Sequence, residues 1–171
     1  TVNSLNFTFK DATLRDLPEI VAIYNSTIAS RLVTADTEEV TVESRVNWFN
    51  EHNAETRPLW VVQEKNSEHI LGWVSFQSFY GRPAYNFTAE MSIYLHPSSR
   101  GKGMGKMVLE YSIERAKSLG LKTLLGYIFA HNEPSLQLFR KLGFEDWGHL
   151  PNIAVLDSVE RGVSILGKRI A

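Results

Sequence analysis

The sequence predicts an α/β or α+β fold in which helices cover a mixed sheet of about seven strands. Short apolar segments typical of strands alternate with amphipathic helical segments, and glycine or proline separates them. The composition is that of a globular protein, because the 171 residues are 43% apolar and 22% charged. This length suits one domain with one core over residues 1–171.

Several classes of protein are excluded by composition. The chain has no Cys, which excludes disulfides, thiolate metal sites and a cysteine nucleophile. No segment approaches the roughly 20 apolar residues of a membrane span. The start TVNSLNFTFKDAT lacks the apolar stretch of a secretory signal. We therefore expect a cytoplasmic protein that does not bind membranes.

The formal net charge of -1 conceals an asymmetry along the chain. Residues 1–99 hold 7 Lys+Arg against 12 Asp+Glu, whereas residues 100–171 hold 11 against 7. This basic excess is too small and scattered for a nucleic-acid surface. It suits a local site for a small anionic ligand in the second half, although ordinary scatter explains the counts equally well.

The first half of the chain predicts one strand and two helices before the main strands begin. Residues 5–10 alternate apolar and polar side chains, as a half-buried strand does. Thr13, three residues before Asp16 and shortly before Pro18, predicts the start of a helix that runs to about residue 29. A shorter helix is predicted over residues 42–52. The expected core face of the first helix is Leu17, Ile20, Val21, Tyr24 and Ile28.

The rest of the chain predicts strands with two further helices among them. Gly120 and Gly143 each follow an amphipathic segment, as glycine does at the end of a helix. The predicted strands are residues 59–64, 70–79, 88–95 and 123–128, the predicted helices are residues 107–119 and 133–142, and two strands finish the chain.

A glycine-rich segment between a strand and a helix carries the clearest chemical signal. It reads Arg100-Gly-Lys-Gly-Met-Gly105-Lys106. Glycines let successive N–H groups point into one concavity, and the N-terminus of the following helix adds positive potential. The segment therefore predicts a site for a phosphate or pyrophosphate, with a purely structural turn as the alternative. Its spacing differs from that of the P-loop and of the dinucleotide fingerprint.

Two motifs resemble those of a known family. Arg100-x-x-Gly103-x-Gly105, after Ile93-Tyr-Leu95, resembles the acetyl-CoA loop of the GNAT superfamily of N-acetyltransferases. The segment NEPSLQLFRKLGF at residues 132–144 resembles the second signature of that family. The upstream segments RPAY at residues 82–85 and TAEMSIY at residues 88–94 resemble the branch that contains phosphinothricin and methionine sulfoximine acetyltransferases.

The resemblance implies the GNAT fold, a mixed and mostly antiparallel twisted sheet with four or so helices, and acetyl-CoA (coenzyme A) as the cofactor. The backbone of Ile93 to Leu95 would pair with the pantetheine arm, and the Leu95 N–H would polarise the thioester carbonyl. The residues assigned to acetyl-CoA are Ile93, Tyr94, Leu95, Arg100, Gly101, Lys102, Gly103, Met104, Gly105, Lys106, Asn132 and Ser135. For Asn132, a cap on the following helix is an alternative or additional role.

The resemblance also assigns residues to the acceptor. These residues are Arg82, Pro83, Ala84, Glu90, Met91 and Ser92. Glu90 is the expected general base, because a carboxylate beside the amine can hold the ammonium and then accept its proton; the alternative is an outward-facing strand residue. Arg82 is a candidate to bind a substrate carboxylate, with a solvated loop charge as the alternative.

One position departs from the pattern of the family. Many GNAT enzymes have a Tyr, and the phosphinothricin branch a His, where this chain has Phe139. Phe139 has no proton to donate, but a thiol with a pKa near 8.5 leaves readily as thiolate. No His, Asp and Glu spacing resembles a metal site, so we expect none.

These observations predict an acetyl-CoA-dependent N-acetyltransferase that acts on a small amino-acid-like amine by direct attack in a ternary complex. The resemblance also implies a homodimer. Two alternatives remain open: an acetyltransferase for protein N-termini or lysines, and a non-catalytic sensor of acyl-CoA.

Overall fold

The computed structural model describes residues 4–171 and has seven strands and four α-helices in that range. The predicted domain and the predicted absence of a secretory signal both include residues 1–3, which lie outside the described residues. The strands are β1 (Phe7–Asp11), β2 (Leu59–Glu64), β3 (Ile70–Ser78), β4 (Thr88–Leu95), β5 (Thr123–Phe129), β6 (Glu145–Leu156) and β7 (Val159–Arg169). The helices are α1 (Leu17–Asn25), α2 (Val46–Asn50), α3 (Met104–Ser118) and α4 (Glu133–Lys141).

All seven strands form one sheet in the order β1-β2-β3-β4-β5-β7-β6. Five of the six neighbouring pairs are antiparallel, and β4 with β5 is the parallel pair. A parallel pair needs a crossover, and α3 lies between these two strands in the chain. The predicted mixed, mostly antiparallel sheet with four helices is confirmed.

The first two helices are shorter than the sequence predicted. Residues 14–16 and 28–30 are separate 3₁₀ turns on either side of α1. Ser26 and Thr27 end α1, since their hydroxyls donate to carbonyls three residues back, with Thr27 Oγ1 2.7 Å from the Tyr24 oxygen. Of the predicted core face, Tyr24 is half-buried, and Ile23 is buried although it was not predicted. Helix α2 likewise covers only part of residues 42–52.

Helix α3 begins three residues earlier than predicted. Gly103 has a φ of 78° and directly precedes it, a left-handed conformation that glycine adopts at little cost. Its first turn is formed by Met104, Gly105 and Lys106. The sequence predicted that these three residues lie before the helix. The glycine-rich segment therefore delivers a helix N-terminus to the end of β4.

Two apolar clusters cover the two faces of the sheet. Helices α3 and α4 pack with one face, where Phe76, Val108 and Leu124 are fully buried. Helix α1 packs on the other face with Trp73, and the half-buried Trp48 of α2 packs against the same cluster. None of the helices within residues 4–171 has the length and apolar character needed to cross a membrane.

Candidate active site

Strands β4 and β5 pair over three residues and then separate. Their register ends with Glu90 opposite Leu125, although β4 continues to Leu95 and β5 to Phe129. The resulting β4–β5 gap holds about 60 Å³. The residues that line it include Ser92, Ile93, Gly126, Tyr127, Asn132 and Phe139.

The backbone of β4 presents hydrogen-bonding groups to the β4–β5 gap. The His96 N–H, directly after β4, donates to the carbonyl of Leu71 in β3, at 2.7 Å. Successive N–H groups of a strand point to opposite edges, so the N–H groups of Ile93 and Leu95 point to the gap. By the same alternation, the N–H of Tyr94 points to β3. Ile93 and Leu95 are thus placed to pair with an extended ligand.

The glycine-rich segment lies directly after β4. Gly101 and Gly103 have φ values of 72° and 78°, so both need the left-handed region. The first N–H groups of a helix have no partner within it, and here they belong to Met104, Gly105 and Lys106. With the positive end of the helix dipole, this geometry suits an anion.

Arg100 makes its observed contacts within the protein. Its guanidinium donates to the Leu95 carbonyl oxygen from Nε at 3.2 Å and from Nη2 at 3.0 Å. Nη2 also donates to Ser26 Oγ at 2.9 Å. These bonds join the end of β4 to the end of α1. The exposed side chains of Lys102 and Lys106 add positive charge to the same segment.

One face of β3 and β4 carries polar and aromatic side chains at directly opposite positions. The pairs are Trp73 with Tyr94, Ser75 with Ser92, and Gln77 with Glu90. We call these six residues the acceptor face. Residues two apart in a strand share a face, so the side chain of Met91 lies on the other face, where it is buried in the core.

Two cavities open on the acceptor face. The first, the aromatic cavity, holds about 180 Å³, and the residues that line it include Tyr24, Arg45, Trp48, Trp73, Ser92 and Tyr94. The second, the carboxylate cavity, holds about 420 Å³ and is lined by Glu51, His52, Phe76, Gln77, Ser78 and Glu90. Gln77 lines both cavities, so they adjoin.

The aromatic cavity has rigid walls. The rings of Trp73 and Tyr94 stack with centroids 4.5 Å apart, and burial raises the pKa of the Tyr94 hydroxyl. The Tyr24 hydroxyl is hydrogen-bonded to Asp36, whose carboxylate accepts from Arg45 at 3.0 Å. The Arg45 guanidinium lies 4.6 Å from the centre of the Tyr24 ring, a cation–π distance.

Glu90 lies where β4 and β5 separate. It is half-buried, and burial raises the pKa of its carboxyl group above the ordinary value. A half-buried carboxylate with a raised pKa is a better proton acceptor than one in water. Glu90 lines the carboxylate cavity on the acceptor face, and its role as the general base stays a prediction.

Asn132 caps α4, as the alternative interpretation of this residue predicted. Its Oδ1 accepts from the Ser135 N–H at 3.3 Å, and its Nδ2 donates to the Leu32 carbonyl at 3.1 Å. Phe139 is buried on the same helix, and its ring centroid lies 4.9 Å from that of Phe144. Both Asn132 and Phe139 line the β4–β5 gap.

The segment before β4 is exposed. Arg82, Pro83 and Ala84 are exposed at a turn, with residues 83–85 in a 3₁₀ helix. Four aromatic residues lie in β3 or in the segment between β3 and β4: Trp73, Tyr80, Tyr85 and Phe87. Of these, Trp73 lines the aromatic cavity, whereas the other three are exposed.

Several residues of the site were not predicted from the motifs. Tyr24 belongs to α1, Arg45 to the turn before α2 and Trp48 to α2. They are far from the motifs in sequence and meet the sheet only in the folded chain. Tyr24 was predicted only as part of the core face of the first helix. Among the described residues, no group of three or more His, Asp and Glu side chains is arranged to hold a metal ion.

Comparison with known proteins identifies the family of the chain. A match to the family described as Acetyltransferase (GNAT) domain covers residues 6–145. The chain belongs to the GNAT acetyltransferase family. It is therefore an N-acetyltransferase enzyme, as the two motifs predicted.

Two relatives of this GNAT chain cover most of its length. The Bacillus subtilis (strain 168) protein named "Putative phosphinothricin acetyltransferase YwnH" is 51% identical over 164 residues, which are 96% of this chain and 99% of the relative. The Pseudomonas aeruginosa protein named "L-methionine sulfoximine/L-methionine sulfone acetyltransferase" is 32% identical over 149 residues, 87% and 86% of the two chains. The resemblance to this branch of the GNAT enzymes is confirmed.

A solved structure shares the fold of this GNAT chain. It is that of a GNAT superfamily phosphinothricin acetyltransferase from Sinorhizobium meliloti in complex with acetyl-CoA. Its TM-score is 0.87 at 26% identity, and the match covers 96% of this chain and 88% of that one. The predicted GNAT fold is confirmed.

Proposed function

We propose that this enzyme transfers the acetyl group of acetyl-CoA to the primary amine of a small amino-acid-like acceptor. One observation carries the proposal: the β4–β5 gap and the aromatic cavity share Ser92 and Tyr94, so a thioester in the gap and an amine in the cavity would meet. The names of the relatives, which specify phosphinothricin and methionine sulfoximine, support an acceptor of this class.

The donor would lie along β4. The pantetheine arm would pair with the backbone of Ile93 and Leu95, and the pyrophosphate would meet the N–H groups of residues 101–106. The Leu95 N–H points to the gap, where it would polarise the thioester carbonyl and stabilise the tetrahedral oxyanion. Asn132 and Ser135 line the opposite side of the gap and would contact the arm.

The acceptor would lie on the acceptor face. The aromatic cavity, with a volume of about 180 Å³, suits one small side chain, which favours a free amino acid over a protein N-terminus or a lysine in a chain. Glu90 would bind the ammonium and take its proton. The exposed Arg82 would bind a carboxylate at the entrance. Because Phe139 cannot donate a proton, the thiol would leave as thiolate.

The domain organisation, location and oligomeric state of the chain are also part of the proposal. A single domain over residues 1–171 and a cytoplasmic location stay predictions. We also propose a homodimer, because the β6–β7 hairpin exposes five large apolar side chains that a second copy would cover. They are Trp147, Leu150, Ile153, Val155 and Val159.

The experiment that tests the proposal is thiol release from acetyl-CoA. Free amino acids, methionine sulfone and sulfoximine, phosphinothricin, polyamines and short peptides would serve as acceptors, and the absence of Cys removes any thiol background from the protein. We expect turnover with one class of amino acid. Turnover with peptides alone would support the protein acetyltransferase, and binding of acetyl-CoA without turnover would support the sensor.

Glu90→Gln tests the base in the same assay. We expect kcat/KM at pH 7 to fall by about 100-fold or more, because general bases typically contribute 10²–10⁴-fold, with acetyl-CoA affinity unchanged. Glu133→Gln, an exposed substitution on α4, controls for the loss of one charge. Equal rates for wild type and Glu90→Gln would remove Glu90 as the base.

A further inference from the structure

A second proton acceptor, His52, contacts the acceptor face at Ser75. His52 Nε2 is 2.6 Å from Ser75 Oγ. Ser75 is 2% exposed and lines the aromatic cavity, whereas His52 lines the carboxylate cavity with Glu90. The Ser75–His52 pair therefore connects the place proposed for the amine to a second cavity.

The contacts of His52 fix its tautomer. Its Nδ1 lies 2.9 Å from the Trp48 carbonyl oxygen and 3.3 Å from that of Phe49. Carbonyl oxygens only accept hydrogen bonds, so Nδ1 carries the proton. Nε2 of the neutral ring is then an acceptor, and Ser75 donates to it. A serine hydroxyl that donates its one proton keeps two lone pairs for a donor in the aromatic cavity.

The surroundings keep His52 neutral but able to accept a proton. Burial lowers its pKa below the ordinary value, and the nearby carboxylate of Glu51 opposes this shift. The charged groups that face the imidazole are Glu51, from the end of α2, and Glu90, across the shared cavity. Glu51 is exposed, so solvent screens its charge.

Amide formation from an ammonium removes two protons from the nitrogen. One proton must leave before the nitrogen lone pair attacks the thioester carbon, and a second leaves the nitrogen after the new C–N bond has formed. The C–S bond breaks with its electron pair on the thiolate, which takes one proton from solvent. A single carboxylate must release its first proton before it can take the second.

We propose that the Ser75–His52 pair is a relay that takes the second proton. The proton on nitrogen passes to Ser75 Oγ as the hydroxyl proton passes to His52 Nε2, and the C–S bond then breaks. His52 is a positioning residue that acts through Ser75, and it returns the proton through the same hydroxyl to water in the aromatic cavity once the product has left. This proposal rests on the proposed acetyl transfer, with Glu90 as the first acceptor.

The first experiment requires no turnover. Nitrogen-15 NMR of the imidazole in the unliganded enzyme should show a proton on Nδ1 and none on Nε2 at pH 7. It should also show a pKa below the ordinary 6.5. A proton on Nε2 at pH 7 would overturn the relay, whether or not the protein transfers acetyl groups.

The second experiment compares Ser75→Ala and His52→Gln with wild type in the thiol-release assay. The Gln amide oxygen can accept the Ser75 hydrogen bond but is not basic, so a purely structural role would survive this change. We expect each variant to lose about 100-fold in kcat/KM, the low end of general acid–base effects, with KM for acetyl-CoA unchanged. Ser112→Ala removes a buried hydroxyl of α3 that donates to Val108, and His149→Gln changes an exposed His of β6; both should keep the wild-type rate.

Rates in mixtures of H2O and D2O separate the relay from a packing effect. Two protons in flight give a curved dependence of rate on deuterium fraction, and one gives a straight line. We expect a curve for wild type and straight lines for Ser75→Ala and His52→Gln. A straight line for wild type, or wild-type rates in both variants, would overturn the relay. Absence of turnover in wild type would overturn the proposed function instead and leave the NMR result standing.

Discussion

The two edges of β4 are used in opposite ways. Toward β3 the strand is paired through seven residue pairs, from Leu95 opposite Gly72 to Ala89 opposite Ser78. Toward β5 it is paired through three and then opens. The continuous edge holds the strand in place, which allows the other edge to leave N–H groups for a ligand. The β4–β5 gap therefore requires the intact β3–β4 ladder beside it.

Filling the β4–β5 gap should have the largest effect on ligand binding. A Cβ on Gly126 would lie 3.2 Å from Cε2 of Phe139, so Gly126→Val must push that ring or its own methyl groups into the gap. We expect acetyl-CoA affinity to fall about 100-fold, or about 2.7 kcal/mol. The free energy of unfolding should fall by about 1–3 kcal/mol. Calorimetric titration and urea unfolding measure the two changes.

Gly148→Val is the matched control, on the outer strand β6. Its Cβ would lie 3.4 Å from Cδ1 of Ile165, a slightly looser contact in a strand, away from the β4–β5 gap. We expect a loss of stability and wild-type affinity for acetyl-CoA. Equal affinity losses in both variants would mean that general destabilisation, and not the gap, controls binding.

The glycine-rich segment allows a cleaner comparison with a smaller effect. Gly101 and Gly120 have φ values of 72° and 84°, and nothing lies within 4 Å of a Cβ at either position. Alanine at either should therefore cost about 1–2 kcal/mol of stability, the strain of a left-handed L-residue. We expect only Gly101→Ala to weaken acetyl-CoA binding, by about tenfold (1.4 kcal/mol). If both variants bind like wild type, the N–H groups after β4 do not hold the pyrophosphate.

Glu90 lies where β4 separates from β5. The ionisation of its carboxyl group should have a small effect on stability that depends on pH. Burial raises its folded-state pKa, so between the unfolded and folded pKa values the folded state binds more protons. Stability contributed by this group is present at low pH and is lost as pH rises through the folded pKa. We expect Glu90→Gln to be more stable than wild type at neutral pH, with the difference vanishing on acidification.

Thermal unfolding from about pH 4 to pH 8 measures this difference. Glu68→Gln, at an exposed turn, controls for the loss of one negative charge. A Glu90→Gln variant that is less stable than wild type at pH 7 would mean that Glu90 has a stabilising ionic partner, which contradicts burial as the main cause of its raised pKa.

The strands were predicted better than the helices, for a physical reason. Strand β4 and strand β2 have the predicted bounds because proline, turn residues and apolar alternation mark both ends. The helix predicted to run to about residue 29 ends at Asn25, where Ser26 and Thr27 bond back to the helix. Side-chain competition of this kind is decided by local geometry, which a propensity pattern does not report.

The candidate site was predicted in part. The motifs indicated Glu90, the β4 backbone and the glycine-rich segment, because these functions need particular residue types at fixed spacing. Arg100 and Asn132 were assigned to acetyl-CoA, and the structure shows them bonded to Leu95, Ser26, Ser135 and Leu32. A sequence motif does not predict these hydrogen bonds, because their partners include residues that are far away in the chain.

The sequence by itself determined the family, the glycine-rich segment before α3 and the strand that carries the proposed base, since all three depend on residues close together in the chain. Only the tertiary structure decided the aromatic cavity and the Ser75–His52 pair. Both form where β3 and β4 pack against α1, α2 and the segment between these two helices, which are tens of residues away in the chain. Packing of separate elements sets such contacts, and no local spacing in the chain reports which side chains will meet.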